Sequence, residues 1–167
     1  MKLNNLNDIN LDNIKVAIFD FDDTLAFHKD REFIEHRKKD NTYWIQAYKN
    51  PKIFYEKIEP CIAPEQMQKL VNCCREKHIK MYCLSAMRFS LHSKAKENFI
   101  KNNYGKDIEF LSASSQEIKT DVVKLMCEIY NCKLENILFV DDMEDNINNM
   151  KNLGIYALTP DDLKGII

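Results

Sequence analysis

An α/β fold with a mostly parallel sheet of at least five strands is what this sequence predicts, and three observations predict it. The run at 16–19, Val-Ala-Ile-Phe, is continuously apolar and then breaks into Asp20, Asp22 and Asp23. Such a run suits a strand covered on both faces, the usual state in a parallel sheet. A second run at 137–140, Ile-Leu-Phe-Val, ends the same way, in Asp141 and Asp142. From Pro64 onward, segments of strand and helix character alternate, which is the pattern of strand-helix-strand units joined by right-handed crossovers.

Residues 1–13 are rich in Asn and Asp, with scattered Leu and Ile able to rest on the domain but no sustained period, and are expected to form a loosely held lead-in. The first strand is expected at about 15–20. Asp disfavours strands and is costly to bury unpaired, so its acids belong at the strand's carboxyl end, where open α/β sheets bind ligands.

The segment 26–60 follows, with short helical stretches at 31–38 and 42–49 and a third piece bracketed by Pro51 and Pro60. It carries Phe33, Tyr43, Trp44, Tyr48, Phe54 and Tyr55 and far exceeds the roughly 4 to 6 residues of an ordinary connection. A small helical insertion after the first strand is therefore expected, with packing on the core as its default role.

Pro64 opens a helix, with Glu65 in its first turn and Met67, Leu70, Val71 and Cys74 at helical spacing. A strand at 79–85 ends in Ser85, and a helix with Leu91, Ala95 and Phe99 on one face closes near Gly105. The third strand is expected at 108–112. Ile118, Val122, Leu125, Met126 and Ile129 then mark an amphipathic helix. A strand at 136–140, a short helix at 145–153 with Ile147 and Met150 inward and Gly154 as its cap, and a fifth strand at 155–158 complete the chain. The expectation is one domain over 1–167, a Rossmann-like three-layer fold with an insertion at about 26–60.

At 167 residues, with 45% hydrophobic and 30% charged residues, the chain has ordinary globular composition and length for a real core. A net charge of -2 gives no bulk reason to expect nucleic-acid or anionic-membrane binding. No apolar run approaches the roughly 20 residues that span a bilayer, and the polar start is unlike a signal peptide, so a cytoplasmic location is expected. Cys61, Cys73, Cys74, Cys83, Cys127 and Cys132 form no Cys-x-x-Cys pair and read as small buried hydrophobes of a reducing compartment.

The strand tips carry the chemistry. Asp20, Asp22 and Thr24, then Ser85, Lys119, and finally Asp141, Asp142 and Asp145 stand at strand ends or helix starts, and parallel strands bring these to one edge. Several carboxylates at one edge repel unless a cation joins them. Oxygen ligands select a hard one, and Mg²⁺ suits one or two carboxylates with water and phosphate. A carboxylate can also act as a nucleophile and form an aspartyl-phosphate. Lys119 would then be a second positive clamp and Ser85 a hydrogen-bond donor to a phosphoryl oxygen.

With these residues in place, the sequence resembles the haloacid dehalogenase-like (HAD) superfamily, whose first signature is a hydrophobic strand followed by Asp-x-Asp-x-Thr. Asp20-Phe21-Asp22-Asp23-Thr24 fits it at every specified position. Ser85 resembles the second signature, Lys119 the third, and the stretch from Phe139 to Asp145 the fourth. The resemblance covers roughly 15–158 apart from the insertion, and the ordered set is far more specific than any one piece. It implies Asp20 as nucleophile, and Asp22 as the acid for the leaving oxygen and then the base for water. Thr24 would orient Asp22. The Mg²⁺ ligands would be Asp20, the backbone carbonyl of Asp22, and Asp142, with Asp141 and Asp145 as direct or supporting ligands. An acid at position 22 favours a phosphatase over an ion pump, a phosphonate-cleaving enzyme or a dehalogenase.

Lys119 is preferred to Lys124 because it stands at the helix start, nearer the sheet edge. Asp23 reads as a turn residue and His28 as a surface histidine, while Arg88 fits a phosphate contact and an ordinary ion pair equally. A phospho-receiver or another non-catalytic phosphate-binding or signalling module is the competing class, since it also gathers carboxylates, Mg²⁺, a hydroxyl and a lysine. There, however, the early acids form the metal pair, the phosphoacceptor lies on a middle strand and the lysine comes late. The expected partner is a phosphorylated substrate, a small molecule ahead of a macromolecule. The insertion sits where the family places its helical cap but is short for one, which implies a relatively open site.

Overall fold

The computed structural model describes residues 9–29, 31, 35, 42–61, 63–87 and 90–164. Residues 1–8, most of the expected helix at 31–38, and Arg88 lie outside that set.

Apolar runs become strands where the sequence places them: β1 is Val16–Phe19, β4 Lys80–Ala86, β5 Ile108–Ala113, β6 Ile137–Val140 and β7 Tyr156–Leu158. They form one sheet in the order β5-β4-β1-β6-β7, and every neighbouring pair is parallel. The four residues of β1 have no exposed surface, as the central strand of a covered sheet must. Counting only this sheet's strands along the chain, the order is 3-2-1-4-5. Receivers use 2-1-3-4-5, so the topology excludes the receiver reading.

Alternate residues of each strand enter two different cores. Ala17, Phe19, Met81, Cys83, Leu138 and Val140 pack with Met67, Leu70 and Val71 of the helix Pro64–Glu76 and with Phe99 and Ile100 of the helix Ser93–Asn103. Val16, Ile18, Tyr82, Leu84, Ile137 and Phe139 pack with Val123 and Met126 of the helix Ile118–Ile129 and with Ile147 and Met150 of the helix Glu144–Asn152. Period-two alternation with both faces buried is the three-layer α/β/α architecture. At about 1.5–3 kcal/mol for each large apolar side chain removed from water, these two faces supply most of the drive to fold.

Two short strands were not visible in the sequence. β2 (Ala26–His28) and β3 (Ile58–Pro60) pair antiparallel and close the base of the insertion. Between them, α1 (Thr42–Lys49) and α2 (Pro51–Glu56) place Tyr43, Ala47, Phe54 and Tyr55 in the first core. The expected packing role of the aromatics therefore holds for these residues, while Trp44 and Tyr48 remain on the surface. His28 was expected on the surface; it is 7% exposed, enclosed by Tyr43 and Phe54. Apolar residues of the lead-in do rest on the domain: Ile9 and Leu11 are buried in the first core, beside Ile14.

The remaining helices are α3 (Pro64–Glu76), α4 (Ser93–Asn103), α5 (Ile118–Ile129) and α6 (Glu144–Asn152). In α5 the expected apolar stripe is rotated. Ile118, Leu125 and Ile129 are exposed, and the buried face is Lys119, Val123 and Met126. A lysine lies inside because its partners do, as the site shows. All six cysteines are free; Cys61, Cys74 and Cys83 are buried as expected, and Cys73, Cys127 and Cys132 are half-buried. No helix is long and apolar enough to cross a membrane among the described residues.

Candidate active site

The sheet itself sets the spacing of the two acidic tips. Asp20 is the first residue past β1, and its N–H still donates to the Val140 carbonyl of β6 at 2.8 Å. Asp141, the first residue past β6, donates in turn to the Leu158 carbonyl of β7 at 3.2 Å. Both carboxylates are thus fixed at the carboxyl edge and buried.

After Asp20 the chain must leave the sheet at once. The Phe21 carbonyl accepts from the N–H groups of Thr24, Leu25 and Ala26, closing a tight turn. Asp23 takes the left-handed conformation inside it, φ +57°, which Asp tolerates better than most side chains. Its carboxylate accepts a 2.7 Å bond from Arg31. Asp23 is therefore a turn residue, as the sequence implies.

Two ammonium groups organise the site, one for each aspartate of the Asp-x-Asp-x-Thr motif. Lys119 has no exposed surface, and its Nζ donates to Asp20 Oδ1 at 2.7 Å and to Asp141 Oδ2 at 2.8 Å. Asp141 is further held by the Met143 N–H on Oδ1 and by Asn146 Nδ2 on Oδ2. Asn146 also bonds Gln116, just before α5, tying α6 to the start of that helix. The alternative, Lys124, is exposed. The second ammonium, on Lys96 of α4, is 1% exposed and donates to Asp22 Oδ2 at 2.5 Å and to Ser85 Oγ at 2.8 Å.

Asp20, Asp141 and Asp142 each offer a carboxylate oxygen within 4.8 Å of the others. Asp142 is exposed at the rim of this group, Asp22 is turned to Lys96 instead, and Asp145 is exposed and outside the group. Thr24 is fully buried in the turn, and its Oγ1 makes no hydrogen bond among the described residues.

Burial raises the Asp20 carboxyl to about 6; Lys119 opposes the rise, while Asp141 and Asp22 add to it by repulsion. Burial likewise works against the charge of Lys119, but Asp20 and Asp141 outweigh it and raise its pKa. Asp20 and Asp141 share one ammonium, and Asp142 brings a third carboxylate to the same place. An all-oxygen set of this kind fits a hard divalent cation.

A cleft of about 290 Å³ opens beside Asp142, lined by Asp23, Phe27, Arg31, Thr159 and Pro160 among others. The Arg31 guanidinium stacks 3.5 Å above the Phe27 ring. Such a cleft adjoining the carboxylates has room for the non-reacting part of a small substrate.

The sequence brought forward Asp20, Ser85, Lys119 and the acids after β6, and missed Lys96 and Asn146. The signal for Lys96 was present: with His92, Phe99 and Ile100 it lies on the buried face, at helical spacing. A lysine there is rarely buried without a partner. Asn146 had no comparable mark among the polar residues of α6.

No protein-family model matches the chain, and no curated protein matches it. Solved structures do. A HAD family enzyme from Bacteroides thetaiotaomicron, as its magnesium complex, is 19% identical with a TM-score of 0.55, over 89% of this chain and 93% of that one. Its complex with magnesium and inorganic phosphate gives 19% identity and a TM-score of 0.52, over 88% and 94%. The N-terminal part of a Bacteroides fragilis protein containing a phosphatase domain, complexed with Mg, is 15% identical with a TM-score of 0.55. It matches 88% of this chain, which spans only 35% of that one. The chain has the HAD-like α/β fold.

Proposed function

We propose that this protein is a Mg²⁺-dependent phosphatase that hydrolyses a phosphate monoester through an aspartyl-phosphate on Asp20. One observation carries the reading. The two aspartates of the Asp-x-Asp-x-Thr motif are held in different ways, Asp20 within a three-carboxylate group and Asp22 apart from it on a separate lysine. A nucleophile and a proton carrier need that separation, because one must meet phosphorus and the other the leaving oxygen. The HAD-like neighbours that hold Mg and inorganic phosphate support it.

Lys119 fixes Oδ1 of Asp20 and so orients the carboxylate for in-line attack. Asp20 forms the new bond to phosphorus as the bond to the alcohol oxygen breaks, and Asp22 gives that oxygen its proton. Asp22 then takes a proton from water as the water oxygen attacks phosphorus and the Asp20 oxygen leaves, which returns both carboxyl groups to their starting state. Ser85 donates to a phosphoryl oxygen. Asp20, Asp142 and the Asp22 carbonyl would hold Mg²⁺, with Asp141 and Asp145 as further ligands or supports, and the bound ion would supply positive charge against the repulsion of two approaching anions. Asp141 is better suited to support than to ligation, since both its oxygens already accept hydrogen bonds. The cleft beside Asp142 favours a small phosphorylated substrate.

Phosphate release from p-nitrophenyl phosphate should require added Mg²⁺, stop with EDTA, and disappear in Asp20→Asn. Activity that persists in Asp20→Asn, purified free of host phosphatases, would overturn the mechanism.

A further inference from the structure

Lys96 belongs to none of the four HAD signatures, yet it is as deeply buried as Lys119. Packing does not account for it. An apolar side chain of similar length would fill the same face of α4, and replacing buried ion pairs by apolar groups is often neutral or stabilising. The lysine is instead positioned on every side. Its Nζ lies 4.7 Å from the Phe21 ring centroid and 5.8 Å from that of Tyr55, two faces that favour a cation there. Its hydrogen bonds go to Asp22 Oδ2 and Ser85 Oγ.

Those two bonds have chemical consequences. An ammonium has donors and no acceptor. Lys96 therefore occupies one oxygen of Asp22, while Oδ1 of Asp22 is buried with no hydrogen-bond partner among the described residues. It also donates to the lone pair of Ser85, so the Ser85 hydroxyl proton stays available for another acceptor. The role of orienting Asp22, which the family resemblance gives to Thr24, is not one that Thr24 Oγ1 performs by a hydrogen bond here.

The geometry points to Lys96 as the positioning residue of the site: it fixes the Asp22 carboxyl that serves the leaving oxygen and leaves the Ser85 hydroxyl free to donate to the phosphoryl group. This rests on the phosphatase reading above. Lys96 acts through Asp22 and Ser85 and does not itself touch the substrate.

The test compares two substrates of nearly equal size. Phenolate, like the tyrosine side chain with a pKa of about 10, needs a proton to leave, whereas p-nitrophenolate leaves as the anion. The constant kcat/KM covers the steps up to departure of the alcohol and excludes hydrolysis of the phosphoenzyme. In Lys96→Met, kcat/KM for phenyl phosphate should fall about tenfold further than for p-nitrophenyl phosphate, because a misplaced acid harms only the substrate that needs it. Lys96→Gln, which keeps a donor, should show a smaller gap and serves if the Met variant does not fold. Equal losses on both substrates would show that Lys96 does not place the acid and would overturn the proposal. A crystal structure of Lys96→Met gives a readout independent of activity. Asp22 should have left its place, and an unmoved Asp22 and Ser85 would also overturn it. Absence of Asp20-dependent phosphate release in the wild-type protein would instead sink the phosphatase reading, leaving the structural comparison to decide the role of Lys96.

Discussion

Lys119 and Asp20, separated by 99 positions in the chain, meet with Nζ 2.7 Å from Oδ1 in the interior of the protein. The same ammonium reaches Asp141 from the next strand, so a single lysine ties the ends of β1 and β6 together. Removing it leaves two buried carboxylates facing each other. Lys119→Met should therefore lower stability by about 3–5 kcal/mol, the usual cost of stripping one partner from a buried pair. Urea unfolding measures this, and added Mg²⁺ should restore part of the loss by taking over the lysine's charge. Lys124→Met, on the exposed side of the same helix, should stay within about 0.5 kcal/mol of wild type.

Asp142 is exposed at the rim of the carboxylate group, so the proposed ion-binding role can be tested there without disturbing the core. Asp142→Asn should weaken Mg²⁺ binding about tenfold or more by calorimetric titration, in line with the loss of a charged oxygen ligand. The melting temperature of the metal-free protein should hardly move. Unchanged Mg²⁺ affinity in this variant would transfer the ligand role to Asp141.

The five sheet strands were legible because a covered parallel sheet writes itself as continuous apolar runs, and the acids that end β1 and β6 are visible as abrupt changes of character. β2 and β3 were not, since three residues carry no period to detect. Helix α5 shows a different failure. Its apolar residues lie on more than one side, and the true inward face is set by Lys119, whose partners come from β1 and β6. Lys96 is the same case: its fitness to be buried depends on Asp22, 74 positions away. Local patterning names the elements, while buried charge is explained only by the contacts that the fold creates.

Phe54 decides whether the insertion is an integral part of the core. It is 6% exposed and meets Tyr43 at 4.9 Å, Tyr55 at 5.1 Å and His28 at 5.5 Å between centroids. Phe54→Ala should cost about 3–5 kcal/mol by chemical denaturation, as expected for a large aromatic lost from a packed site. Trp44, 36% exposed on the outer side of α1, should tolerate Trp44→Ala at about 1 kcal/mol or less. A small loss for Phe54→Ala would show that these ring contacts do not hold the insertion together.

His92 and Asp20 should pull the stability of the metal-free protein in opposite directions as pH falls. Burial lowers the pKa of His92 below its ordinary 6.5, with the charge of Lys96 acting in the same sense against Asp22 and a backbone bond to Ala47. The unfolded chain then binds the histidine proton more readily than the folded one, so this contribution is fully present above pH 6.5 and is lost as pH drops toward the lowered folded value. Asp20 behaves in the contrary way. Its folded pKa of about 6 exceeds the ordinary 3.8, so the folded state takes up the proton first and gains stability as pH falls through that range. A single pH-stability curve mixes the two effects, and a difference separates them. His92→Asn keeps the Asp20 contribution and removes the histidine's, so between about pH 7.5 and 5.5 it should lose less stability than wild type, whatever constant offset the substitution adds. Urea midpoints at matched pH provide the measurement, and parallel curves for the two proteins would show that His92 is not held neutral by its surroundings.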